Sequence, residues 1–154
     1  MSTLQKIKED ITLIPAYLEA FDVVLLEENV KKDISIENKT PLDCNSEQGS
    51  ITQKYVYCLA EAKTLMDFVE IHIKQKKTHL HKNLIQNSKH SFTDREREKL
   101  FDDDEDYVRL QILYLEIKER HDKFKGLLDA ISSRGYALNN ITKLMVEYIE
   151  KTVL

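Results

Sequence analysis

Tyr107, Leu110, Tyr114, Ile117, His121, Phe124, Leu128 and Ile131 follow one another in steps that alternate between three and four residues, with His121 the one strongly polar member. A seam two positions wide in every seven belongs to a helix of about 30 residues that packs along one other long helix. Such a partner lies upstream. Behind Ser50-x-x-Gln53, which has the form of a capping box, the residues Ile51, Tyr55, Cys58, Leu59, Ala62, Leu65, Met66, Val69, Ile73, Leu80 and Leu84 recur at three- and four-residue spacing, predicting a helix of about 35 residues. The pair predicts an all-α fold built on a long antiparallel helical hairpin. His121 within the seam reads as a polar core residue that sets helix register rather than as a catalytic group.

The remaining segments fit around this hairpin. Ser2-x-x-Gln5, with Leu4, Ile7 and Ile11 behind it, predicts a short helix to about Asp10, and Pro15 should interrupt it. Leu18, Phe21, Leu25 and Leu26 mark a second helix over Ala16–Lys32, although Phe21–Leu26 also reads as a buried strand. Asp33–Gly49 is rich in turn-forming and polar residues and predicts a connector. The chain thus divides into an N-terminal helical segment (1–32), a loop linker (33–49) and a single domain of hairpin plus C-terminal helix (50–154). Asn87–Ser91 should break the first long helix, Thr93-x-x-Glu96 should cap a short helical turn, and the acidic run Asp102–Asp106 should open the second long helix. Gly135 is placed to end that helix. Beyond it, Leu138, Ile141, Leu144, Met145, Tyr148 and Ile149 predict an amphipathic helix whose apolar face serves oligomerisation.

Composition excludes several function classes. With 3 Gly, 2 Pro and 32% charged residues, the chain suits long charged helices and not a turn-rich sheet protein. No apolar run approaches the roughly 20 residues of a membrane span, and Met1–Asp10 lacks the apolar stretch of a signal peptide, so a cytoplasmic protein is expected. Cys44 and Cys58 fit neither a disulfide framework nor a metal knuckle, and free thiols are expected. The motifs GxxxxGK[ST], GxGxxG, GxSxG and HExxH are all missing, so neither catalysis nor a cofactor is expected. A metal is not expected either: on a helix the rings of His79 and His81 point about 200° apart. Asp102–Asp106 reads as solvated capping acids.

A net charge of -4 conceals a segregation along the chain: residues 1–70 carry -6, residues 71–99 carry +5, and residues 100–154 carry -3. Within the basic segment Lys74, Lys76, Lys77, His81 and Lys82 form the candidate site for single-stranded DNA, with Lys89, Arg95, Arg97 and Lys99 following. Lysines on a helix contact phosphates as point charges, giving affinity without base readout and a steep dependence on salt. A solvated helix face is the competing interpretation of the same residues, and repetition of a weak site around an oligomer favours the binding one. Phe68, Phe92 and Phe101 only flank the stretch; Phe92 is a candidate for stacking on a base, whereas Phe68 reads as hairpin core. Arg134 reads as a partner of helix-end carbonyls, with nucleic acid as its alternative.

Asp103–Ile141 resembles the C-terminal half of the UvsY-type recombination mediators of tailed phages. The match centres on Leu128-Asp129-Ala130-Ile131-Ser132-Ser133-Arg134-Gly135-Tyr136-Ala137-Leu138, and Val30-Lys31-Lys32-Asp33-Ile34-Ser35-Ile36-Glu37 gives a weaker second match. The resemblance implies a non-catalytic, ring-forming homo-oligomer that binds single-stranded DNA and helps a RecA-like recombinase displace the single-strand-binding protein, in phage recombination, repair and replication. Where the family carries a basic Lys-x-Arg pair on the long helix, this chain has His81 and Asn83. A helical scaffold or adaptor that contacts only proteins is the alternative.

Overall fold

The computed structural model describes residues 5–7, 10–87 and 92–153. The expected Ser2 cap and the break at 88–91 lie outside the described residues. The fold is all-α, with no strand among the described residues. Among the described residues, a 3-10 turn at Ile11–Leu13 is followed by five helices: α1 (Ile14–Val24), α2 (Glu27–Ile34), α3 (Pro41–Asn87), α4 (Asp94–Asp102) and α5 (Glu105–Val153).

Local chemistry moves several boundaries. Pro15 stands in the first turn of α1, where a missing N–H leaves no intrahelical bond unmade, so it starts a helix instead of interrupting one. The single helix expected over Ala16–Lys32 is two. The chain turns out of helical geometry at Leu25 and Leu26, and Asn29 Nδ2 donates 2.7 Å to Val23 O, satisfying a carbonyl at the end of α1. In α2, Glu27 and Glu28 occupy the first turn and Lys31 and Lys32 the last, the arrangement that complements the helix dipole.

The largest correction concerns the linker at 33–49. Helix α3 begins at Pro41, nine residues before the expected Ser50. Thr40 and Asp43 cap it reciprocally, Asp43 N donating 3.1 Å to Thr40 Oγ1 and Thr40 N donating 3.2 Å to Asp43 Oδ2, and Pro41 opens the first turn. The polar residues of this segment are then used by packing. Cys44 is buried, and Gln48 Nε2 donates 2.7 Å to Ile131 O. Only 35–40 is non-helical, with Asn38 at φ 59° making the turn.

The chain divides into two compact units, one of Met1–Ile14 with Glu61–Glu119 and one of Pro15–Ala60 with Arg120–Leu154. In the second, α3 and α5 run antiparallel, Asn45 lying by Thr142, Gln48 by Ile131, and Tyr55 by Phe124. Phe124 receives the edge of Phe21 at 5.3 Å and 81°, which brings α1 onto the pair. Tyr55 donates 3.0 Å to Asp33 Oδ2, and burial, reinforced by that bond, pushes its phenol well up from the ordinary value. In the first unit Ala62, Leu65, Val69 and Ile117 are buried, as are Phe101 and Tyr107, whose rings lie 6.1 Å apart.

The seam of α5 alternates as expected. Ile117, Phe124, Ile131 and Leu138, spaced by seven, are fully buried, and the intervening Tyr114, His121 and Leu128 are half-buried. Gly135 does not end the helix. A Cβ there would meet Gln48 Nε2 at 3.2 Å, so glycine serves close approach of α3 and not a left-handed turn. Gly126 differs, having nothing within 4 Å of an added Cβ. Gly126→Ala should therefore stabilise by about 1 kcal/mol in urea unfolding, the usual glycine-to-alanine gain inside a helix. Gly135→Ala should fall clearly short of that gain, because the end of Gln48 must shift.

Candidate nucleic-acid interface

The basic stretch lies entirely on α3 within the first unit. At about 100° per residue, Lys74, Lys77 and His81 share a sector roughly 60° wide, and Lys82 stands about 80° from Lys74. Lys76 falls about 160° away from Lys74. The structure brings four of the five expected residues to one face and separates the fifth.

Each lysine has a distinct environment. Lys74 is exposed and pairs with Glu70 at 2.8 Å, an i,i+4 contact of the kind that contributes only a few tenths of a kcal/mol. Lys77 places its ammonium 5.7 Å from the ring centroid of Phe101, which is itself 4% exposed. His81, Lys74, Lys77 and Thr78 line a shallow depression floored by Phe101. Lys82 borders a second depression with Ile71, Lys74, Gln75, Thr78 and His79. Lys74 and Thr78 are the shared ridge between the two.

Lys76 turns to the acidic start of α5, its Nζ 3.0 Å from Asp104 Oδ1 and 3.2 Å from Asp106 Oδ2, and its side chain is 22% exposed. Donating to the Asp104 carboxylate raises its pKa above the ordinary lysine value. Asp104 also accepts from Tyr107 N at 2.9 Å, and that bond, ahead of Lys76, lowers its carboxyl below the ordinary range. The acidic run therefore caps α5 and holds α3, leaving Lys76 a brace. Among the described residues no group of three or more His, Cys, Asp or Glu could hold a metal ion.

The neighbouring cations vary in the same way. Arg97 donates 2.8 Å to Phe92 O and lies 3.3 Å from Asp94, fixing the start of α4, where Thr93 and Glu96 form the expected capping box. Lys89 lies outside the described residues. Phe68 is buried beside His72, at 4.4 Å between ring centroids. Arg134 is buried too, donating Nη1 to Gln48 Oε1, which places it inside the second unit.

The expected oligomerisation face divides similarly. Leu138 is 2% exposed and belongs to the core of its own unit, a correction that follows from α3 starting early enough to cover it. Ile141, Leu144, Met145, Tyr148 and Ile149 are exposed on the last turns of α5. The Lys76 contacts to Asp104 and Asp106, and Phe101 as a floor, were not read from the sequence. The helical angle of Lys76 was the available signal for the first. No helix among the described residues is long and apolar enough to cross a membrane, and Cys44 and Cys58 are buried thiols outside any disulfide.

Asp104→Asn keeps an oxygen for the Tyr107 N–H and removes the charge that holds Lys76, so the thermal midpoint at neutral pH should fall. Because the Asp104 carboxyl is held below its ordinary value, its contribution is present above the usual carboxylate range and lost as pH falls through the depressed value. The difference between wild type and variant should accordingly close on acidification below the usual carboxylate range. A difference independent of pH would assign the effect to something other than this carboxylate.

Comparison of the chain with family models, curated proteins and solved structures returns no match.

Proposed function

We propose that this chain is a non-catalytic, cytoplasmic recombination mediator of the phage UvsY type. It binds single-stranded DNA as a homo-oligomer, in a ring, and helps load a RecA-like recombinase onto DNA covered by single-strand-binding protein. The observation that carries the reading is the gathering of Lys74, Lys77, His81 and Lys82 on one exposed face of α3 in an otherwise acidic chain. Flexible ammonium groups on a regular helix hold phosphates without reading bases, which suits a protein that must act on DNA of any sequence. The resemblance of Asp103–Ile141 to the mediators supports the recombination context. The exposed apolar residues at the end of α5 support self-association, which converts a weak basic face into a multivalent one.

Changing Lys74, Lys77 and Lys82 together to Glu should abolish retention of oligo-dT in a gel shift at low salt. A milder triple change to Gln should lower the slope of log affinity against log salt by about 2 per protomer engaged, at roughly 0.7 per phosphate contact. Lys76→Gln should leave that slope unchanged. No binding by wild type at low salt would instead identify a protein-only adaptor.

Subunit contacts are tested separately. Ile141→Lys with Met145→Lys should yield smaller species by mass measurement in solution, since two charges then occupy the apolar face. An unchanged mass would place the subunit contacts elsewhere.

A further inference from the structure

The basic face of α3 has an aliphatic centre. Ile71, Thr78 and Ile85 step by seven along the helix and so form one stripe, drifting only about 20° per step. Ile71 is 52% exposed and Ile85 65% exposed, both unusually open for isoleucine on a helix that buries its other face. Thr78 donates its hydroxyl 2.9 Å to Lys74 O, which satisfies the polar atom within the helix and leaves the methyl as its outward group. The stripe spans about 21 Å, or roughly four helical turns.

Lysines border it on both sides, with a histidine beside each row. Lys74, Lys77 and His81 stand along one edge and Lys82 with His79 along the other, the two rows separated by the depressions beside Thr78. The single carboxylate in 70–86, Glu70, lies at one end of the stripe and is paired with Lys74 at 2.8 Å. DNA phosphates match the rims but not the floor. Bases stack best on large aromatic rings, and the one phenyl ring among the residues lining the depressions, Phe101, is buried and already covered by the Lys77 ammonium. Aliphatic side chains at heptad spacing between two cationic rows are instead the complement of a helix with its own apolar seam and flanking carboxylates.

We infer that the Ile71–Thr78–Ile85 stripe is a docking site for an acidic amphipathic helix of a partner protein. This goes beyond single-strand binding. Because the docked helix draws on Lys74, Lys77 and Lys82, helix and DNA exclude one another, and the face exchanges one polyanion for another.

The test uses the full chain and a fluorescent synthetic 21-residue helix with leucine at heptad positions and glutamate on both flanks, read by anisotropy. The acidic helix should bind saturably, and a version with lysine flanks should not. The double variant Ile71→Ser with Ile85→Ser, which alters only exposed side chains, should weaken helix binding at least about tenfold and leave oligo-dT binding unchanged. Unlabelled oligo-dT should displace the helix from wild type. The inference is overturned if the acidic helix does not bind, if the double variant binds it as tightly as wild type, or if the double variant loses oligo-dT binding in equal proportion. That last result would assign the floor to nucleic acid. If the helix binds as expected while wild type fails to bind oligo-dT, the docking site stands and the single-strand reading falls.

Discussion

Everything in this fold depends on covering one narrow seam. Ile117, Phe124, Ile131 and Leu138 recur every seventh residue along α5 and are buried in full, each side chain of this kind contributing on the order of 1.5 to 3 kcal/mol by leaving water. In the second compact unit α3 supplies most of that cover, through Tyr55 beside Phe124 and Gln48 beside Ile131, and α1 adds the edge of Phe21. The cover reaches back to Cys44 and Gln48, which is why α3 has to begin at Pro41 and why a side chain at Gly135 would displace the end of Gln48.

Using only one face of α3 for packing leaves the opposite face available for charge. The lysines of the basic stretch then divide by angle. Lys76 points toward the start of α5 and holds two carboxylates, while Lys74, Lys77 and Lys82 face outward around an aliphatic stripe. The acidic run at Asp102–Asp106 thus serves cohesion, stabilising the start of α5 and securing α3, and the net negative charge of the chain does not oppose a local cationic face.

Periodicity made much of this legible. The seam of α5, the partner series on α3 and the Thr93–Glu96 cap were plain in the residue spacing, because each is a local pattern with a fixed period or offset. The segment 33–49 was misread because its Asn, Asp and Ser content resembles a loop, while the Thr40-Pro41-x-Asp43 cap within it states where the helix starts. Gly135 was misread for a related reason: glycine ends helices often, and only the position of Gln48 on another helix reveals a need for space. At the candidate site the composition of the basic stretch was visible and its geometry was not. Counting cations along a segment treats Lys76 as equal to Lys77, although one helical step of 100° gives them different neighbours.

Lysine footprinting by reductive methylation, with and without oligo-dT, tests the assignment of the outward face most directly. The account predicts protection of Lys74, Lys77 and Lys82 on adding DNA, and no change at Lys76, whose ammonium is already held by Asp104 and Asp106. Protection confined to lysines of α5 such as Lys123 and Lys125, with α3 unaffected, would contradict it.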